Sequence, residues 1–99
     1  MEIINNYYES MFVVDVTDGE DAVKASVEKF VGLINNNAEI VYEVNEWGKR
    51  RLAYAINDKN EGYYVLVKFD SEPAFPAELD RVFGITEGIL RSLITLRAE

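Results

Sequence analysis

The sequence predicts an α+β fold with the element order β-α-β-β-α-β. Four stretches are rich in β-branched and aromatic residues or alternate between apolar and polar side chains, as strands do. Two other stretches repeat apolar residues at helical spacing, one after the first strand and one after the third. No repeat or linker interrupts this order, so the 99 residues are expected to form a single domain.

The first strand is predicted over residues 7–16, with the sequence YYESMFVVDV. Both of its alternating sets contain apolar side chains, Phe12 and Val14 in one set and Met11 and Val13 in the other. A strand that is apolar on both faces is typical of the centre of a sheet. We therefore expect this strand to be central.

The first helix is predicted to begin near Glu20, because Thr17 and Glu20 have the spacing of a capping box. A single apolar stripe follows at helical spacing, formed by Val23, Val27, Phe30, Val31 and Ile34. The three asparagines at 35–37 are expected to end the helix, since asparagine tolerates the left-handed conformation of a C-terminal cap.

A long extended segment is predicted over residues 39–56. In its first half, Ile40, Tyr42 and Val44 alternate with the side chains between them. The alternation breaks at Gly48 and then resumes. A lone glycine between two strand-like halves indicates a bulge or a tight bend.

A turn over residues 57–62, a strand over 63–69 and a second helix follow. Pro76 suits the first turn of this helix and Gly84 its end. The last strand is predicted over 89–96. This order is the split βαβ pattern of a ferredoxin-like sandwich, with a four-stranded antiparallel sheet and two helices on one face. In that topology the second and last strands form opposite edges of the sheet.

The composition removes most catalytic chemistry, because histidine and cysteine are both absent. The chain has no disulfide, no thiolate ligand, and neither the commonest metal ligand nor the commonest general base. We therefore expect no catalytic residue, no cofactor, no metal and no small-molecule substrate. No basic leader precedes an apolar run, and no segment approaches the roughly 20 apolar residues of a membrane helix, so we expect a cytosolic protein without a membrane partner.

The candidate site is the cationic run Lys49, Arg50 and Arg51. The chain has a net charge of −8, yet five of its ten cations lie between Lys49 and Lys68. Such a run is typical either of a solvated edge strand or of a contact with phosphates. Side chains alternate along an extended backbone, so Arg50 should point away from its two neighbours. We expect one cation over the helices or at the rim and two on the opposite surface.

Two other classes with the same element order fit the sequence poorly. RNA-recognition motifs carry an aromatic signature on the third strand, but Glu61 stands where a cation is expected and Lys68 where an aromatic is expected. An acylphosphatase-like hydrolase would bind phosphate in the loop after the first strand. The loop here, VTDGED from Val16, has no arginine and three carboxylates.

Five blocks of the sequence match a known family in order and spacing. They are YESMF from Tyr8, WGKRRLAYAI from Trp47, EGYYVLVKF from Glu61, ELDR from Glu78 and ILRSL from Ile89. The chain resembles the bacterial-type small-subunit ribosomal protein six family over almost its whole length, from Tyr8 to Arg97. The second and third blocks are the specific part of the match, because the fold alone does not explain them.

This resemblance implies a non-enzymatic protein of the cytoplasmic ribosome. It would bind the central domain of small-subunit ribosomal RNA as a heterodimer with ribosomal protein eighteen. The matched positions make the cationic run the leading RNA contact. Weaker candidates for RNA contacts are Arg91, Arg97, Tyr8 and Tyr54. The alternative function is a regulatory or oligomerisation domain of the same fold that binds no nucleic acid.

Overall fold

The computed structural model describes residues 6–56 and 59–97, with the backbone alone at residues 53, 55 and 56. In chain order the elements are β1 (Asn6–Asp15), α1 (Glu20–Asn37), β2 (Ile40–Ile56), β3 (Lys59–Ser71), α2 (Ala74–Ile85) and β4 (Ile89–Arg97). The predicted fold class and element order are confirmed.

The four strands form one antiparallel sheet with the order β2-β3-β1-β4. The strand β1 lies between β3 and β4, as its two apolar sets predicted, and β2 and β4 form the opposite edges. Both helices lie on one side of the sheet. The other side, which we call the open face, carries the alternate side chains of each strand.

The core lies between the sheet and the two helices. Three phenylalanines from three elements meet there: the ring centroid of Phe12 lies 5.5 Å from that of Phe30 and 5.1 Å from that of Phe83, and the last two are 4.4 Å apart. All three are buried. The predicted stripe of α1 is confirmed, since its buried residues are Val23, Val27, Phe30 and Ile34. Removing any of these rings would cost about 3–5 kcal/mol of stability.

The ends of α1 differ from the prediction. The N-cap is Gly19 in a left-handed conformation with φ 95°, and no side chain caps the helix. Thr17 instead donates its backbone N–H and its hydroxyl to Oδ1 of Asp15, at 2.9 and 2.6 Å. At the other end the helix includes all three asparagines, and the C-cap is an extended Ala38. The capping-box and asparagine-cap predictions were therefore wrong, although the helix was correctly placed.

The strand β2 runs unbroken across Gly48 but contains irregular register at three places, two of them at Tyr42 and at Trp47. Each bulge adds one residue and reverses the side-chain alternation beyond it. The alternation predicted for residues 40–45 was therefore wrong, because Val41 and Val44 pair with the buried residues Phe69 and Val67 of β3.

The hairpin of β2 and β3 projects beyond the rest of the sheet. The strand β1 ends opposite Gly62, so residues 59–61 of β3 pair with β2 alone. The turn predicted over 57–62 was wrong from Lys59 onward, because Lys59 already belongs to β3. Residues 57 and 58 lie outside the described residues. In α2, Pro76 lies in the first turn as predicted, whereas Gly84 lies inside the helix.

Candidate nucleic-acid interface

The positive charge of the chain is concentrated on its sheet. The strands carry seven of the ten cations and six of the eighteen carboxylates. Among the described residues, the helices and the connections hold three cations and nine carboxylates. A chain with a net charge of −8 thus has a nearly neutral sheet beside a strongly acidic remainder, so a contact with phosphates would use the strands.

The bulge at Trp47 determines which way each residue of the cationic run points. Glu46 and Lys49 are three residues apart, and in a regular strand they would point to opposite faces. Both line one groove of about 650 Å³ against α1, because the bulge, with Gly48 at φ 85°, adds a residue between them. Alternation then places Arg50 on the open face and Arg51 on the helix side with Lys49.

This arrangement corrects the expected distribution of the three cations. Arg50 does point away from its neighbours, as predicted. However, two cations lie on the helix side and one on the open face, the reverse of the expected split. The sequence prediction failed because the alternation alone does not show that the bulge contributes an extra residue.

A close contact fixes the hairpin against the sheet beside the cationic run. Gly62 pairs with Arg50, and a Cβ atom on Gly62 would lie 2.2 Å from Cγ1 of Val13 and 3.7 Å from Cδ2 of Leu52. Val13 and Leu52 are buried, although both are on the open face of the sheet. The glycine therefore lets the hairpin pack closely against β1 beside the cationic run.

The three cations differ in their partners. Nζ of Lys49 lies 3.8 Å from a carboxylate oxygen of Glu61 across the strand pair. The side chain of Lys49 is 60% exposed and that of Glu61 is 50% exposed. Arg50 donates from Nη1 to the backbone carbonyl oxygen of Lys49 at 3.3 Å. Among the described residues, neither Arg50 nor Arg51 forms an ion pair, and both are exposed. These two guanidinium groups are available to an external anion.

The register of the sheet separates the two arginines of β4. One row of paired residues crosses the sheet from Arg91 of β4 through Val13 of β1 and Tyr64 of β3 to Gly48 of β2. Arg91 is therefore in line with the bulge of β2. Its side chain is exposed and forms no ion pair with any described residue. The same pairing rules put Arg97 in line with Ile40, at the other end of the sheet.

At that other end the charges of the open face are paired with each other. Nζ of Lys68 lies 3.3 Å from Glu43 and 3.7 Å from Glu9, and Nη1 of Arg97 lies 3.4 Å from Glu9. The hydrogen bond from Lys68 to Glu43 raises the pKa of the lysine, which keeps it charged. Arg97 is therefore already partnered, unlike Arg91.

The two candidate tyrosines lie in different surroundings. Tyr8 is only 7% exposed, packs against Phe69 with ring centroids 5.8 Å apart, and belongs to the core. Its hydroxyl accepts a hydrogen bond from Nδ2 of Asn6 at 3.3 Å. Tyr54 is 85% exposed at the hairpin. Of these two candidates, only Tyr54 has a ring surface that is open to a partner.

One feature of the interface was not found from the sequence. The indole of Trp47 stacks on the ring of Tyr64, with centroids 6.4 Å apart and planes within 13°. The two residues are far apart in the chain, and only the register of β2 and β3 brings them together. The sequence marks Trp47 as unusual, but identifying its partner requires the position of the bulge.

Residues 6–56 and 59–97 contain neither a cluster of metal-ligating side chains nor a membrane-spanning helix. No group of three or more acidic, histidine or cysteine side chains there is arranged to hold a metal ion. Neither helix in this part of the chain is both long and apolar enough to cross a membrane.

The fold and the charge distribution define an α+β protein of the ferredoxin-like type with a cationic hairpin at one sheet edge. The family model described as Ribosomal protein S6 matches residues 7–95. Small ribosomal subunit protein bS6 of Clostridium perfringens (strain 13 / Type A) is 54% identical over 87 residues, 88% of this chain and 92% of the relative. The same protein of Clostridium novyi (strain NT) is 47% identical over the same shares of both chains.

A solved structure agrees with this match. The crystal structure of 30S ribosomal protein S6 from Thermotoga maritima superposes with a TM-score of 0.87 at 27% identity, covering 95% of this chain and 89% of that one. The chain belongs to the ribosomal protein S6 family. It is therefore a ribosomal protein, and the expected family, fold and location on the cytoplasmic ribosome are confirmed.

Proposed function

We propose that this protein binds the central domain of small-subunit ribosomal RNA as a heterodimer with ribosomal protein eighteen, and that it has no catalytic role. The observation that carries the proposal is the pair of exposed guanidinium groups of Arg50 and Arg51, which form no ion pair with any described residue, on a hairpin that projects beyond the sheet. Guanidinium groups bind phosphate oxygens in a bidentate manner, and each neutralised phosphate releases counterions.

The alternation of the cationic run suits a phosphate backbone that passes across the edge of the sheet. Arg50 reaches the open face, whereas Lys49 and Arg51 lie on the helix side. A strand of RNA that crosses the projecting hairpin would meet a cation on each side. The carboxylate of Glu61 lies beside Lys49 and reduces its net charge, so the two arginines are the stronger contacts.

The acidic remainder of the molecule supports the proposed protein partner. Among the described residues, nine carboxylates and three cations lie outside the strands, and a surface of that charge repels RNA. A basic partner protein can dock on such a surface and supply further phosphate contacts of its own. Ribosomal protein eighteen would dock on the acidic surface and would also contact phosphates of the RNA.

The test is charge reversal of the cationic run. The triple variant Lys49→Glu, Arg50→Glu and Arg51→Glu should bind a central-domain rRNA fragment about 100-fold or more weakly in the presence of ribosomal protein eighteen. The slope of log K against log salt should become shallower by about one unit for each phosphate that the variant no longer neutralises. Filter binding across a salt series measures both quantities.

A matched variant controls for net charge. Lys24→Glu, Lys29→Glu and Arg81→Glu change the charge by the same amount on the helices, and should leave the salt slope unchanged. Equal decreases of affinity in the two triple variants would contradict the proposed interface. Gel filtration tests whether the protein co-elutes with ribosomal protein eighteen. A homodimer that binds neither the rRNA fragment nor ribosomal protein eighteen would favour a regulatory or oligomerisation domain instead.

A further inference from the structure

Trp47 is the only tryptophan of the chain and lies on the open face, where it is 45% exposed. Its ring is held nearly parallel to that of Tyr64. Because Gly48 stands opposite Tyr64, no side chain of β2 lies between the two rings. The bulge thus presents an exposed indole in a fixed orientation, which is the property of a stacking surface.

Two arginines flank this aromatic pair on the same face. Arg50 lies two residues beyond the bulge, and Arg91 lies in line with it at the opposite edge. The line crosses three inter-strand spacings, so the edges are about 14 Å apart. Neither arginine forms an ion pair with any described residue, whereas the nearby carboxylate of Asp15 is occupied by Lys59 at 3.8 Å.

We propose that Trp47 and Tyr64 form a stacking site for an unpaired RNA base, with Arg50 and Arg91 contacting the phosphates on either side of that base. This proposal rests on the RNA-binding function proposed above and adds a second contact on the open face. Aromatic rings stack on every type of base, and arginines beside them bind the backbone. An apolar protein surface fits less well, because it would bury two guanidinium groups without partners.

The direct test uses the emission of Trp47, which reports on this site alone. An unstructured RNA oligonucleotide of about ten nucleotides, within the range of single-strand sites, should quench the emission on titration at low salt. A duplex of the same sequence should bind at least about tenfold more weakly to this site, since its bases are already stacked. Unchanged emission at saturating oligonucleotide would overturn the stacking site.

Substitution of the indole gives a second measurement. Trp47→Ala should weaken binding of a labelled oligonucleotide by about tenfold to a hundredfold in fluorescence anisotropy, and Trp47→Phe should retain most of the affinity because it keeps a ring. Ile85→Ala, which truncates an exposed side chain at the end of α2, should have no effect. Circular dichroism confirms that each variant is folded.

The outcomes separate this proposal from the function on which it rests. If the rRNA fragment binds wild-type protein and Trp47→Ala equally well, the stacking site is wrong and the proposed function stands. If the rRNA fragment does not bind at all, the proposed function is wrong. In that case quenching of Trp47 by the free oligonucleotide supports the stacking site independently, and unchanged emission overturns it too.

Discussion

The two ends of the open face contain similar residue types in different states of pairing. At the far end, Glu9, Lys68, Glu43 and Arg97 form a continuous set of ion pairs. At the hairpin end, Arg50 and Arg91 have no ionic partner among the described residues, and the aromatic pair of Trp47 and Tyr64 lies on the same face. Arginine at a sheet edge is therefore poor evidence for a binding site until the register shows what stands beside it.

The two ends of the open face are also held in place by different interactions. Ion pairs on an exposed surface contribute little to stability and are screened by salt. The hairpin end depends on close packing of Gly62, Val13 and Leu52 instead. The end that is free to bind a partner is thus the one whose packing does not depend on ion pairs.

The largest effect is expected from Gly62→Ala at the hairpin end. The new methyl group would overlap Cγ1 of Val13, so the free energy of unfolding should fall by about 2–3 kcal/mol, measured by urea denaturation. Adding Val13→Ala removes the overlapping group, and the double variant should be less destabilised than the sum of the two single changes. Additive decreases in stability would contradict the close packing.

A glycine without such a neighbour is the control for this change. Gly84 lies inside α2, and a Cβ there would meet no atom within 4 Å. Gly84→Ala should raise the free energy of unfolding by about 0.5–1 kcal/mol, because alanine has the better helix propensity.

A smaller effect should distinguish the two ends in RNA binding. Arg50→Gln and Arg91→Gln should each weaken binding to the rRNA fragment by about tenfold and flatten the salt slope by about one unit. Arg97→Gln removes a cation that is already paired with Glu9, and should change both quantities less. If Arg97→Gln proves the most damaging of the three, the comparison between the two ends is wrong.

The salt dependence of stability should be larger for a substitution at the far end of the open face, where the charges are paired, than for one at the hairpin end. Lys68→Met leaves Glu9 and Glu43 without their shared cation, so the melting temperature should fall at low salt. The fall should shrink at high salt, where the two carboxylates are screened. Arg50→Met removes no ion pair and should show no such salt dependence. Calorimetry at two ionic strengths makes the comparison.

The smallest effect concerns the pH dependence of stability at Asp15. The hydrogen bond from the Thr17 hydroxyl lowers the pKa of this carboxyl below its ordinary value of 3.8, and Lys59 adds to the shift. A lowered pKa gives stability that is present above pH 3.8 and lost as the pH falls through the folded value. The stability difference between wild type and Asp15→Asn should therefore shrink below about pH 4 in acid unfolding curves. A difference that stays constant there would contradict this role.

The sequence was sufficient for the elements whose residues follow one period. The stripe of Val23, Val27 and Phe30 placed α1, because each of these side chains packs on the same core. The two apolar sets of β1 likewise predicted its central position. The cap of α1 was missed because the Thr17 hydroxyl binds Asp15, a competing partner that spacing alone does not reveal.

The candidate site could be predicted only in part. Three consecutive cations in an acidic chain are visible in the composition, so Lys49 to Arg51 were found. The side of the sheet to which each of them points was not predicted correctly, because the position of the extra residue in β2 depends on how that strand pairs with β3. The alignment of Arg91 with Gly48 also requires the register of all four strands.

The bulge at Trp47 and Gly48 means that the register of β2 matters as much as the identity of its residues. If the same residues paired regularly from Glu46 onward, without the bulge, Lys49 and Arg51 would turn toward the open face and Arg50 toward the helices, with every cation retained. The same three charges would then form a different pattern for any partner approaching from either side. In this strand, a slip of the register by one position would alter the surface chemistry more than most single substitutions.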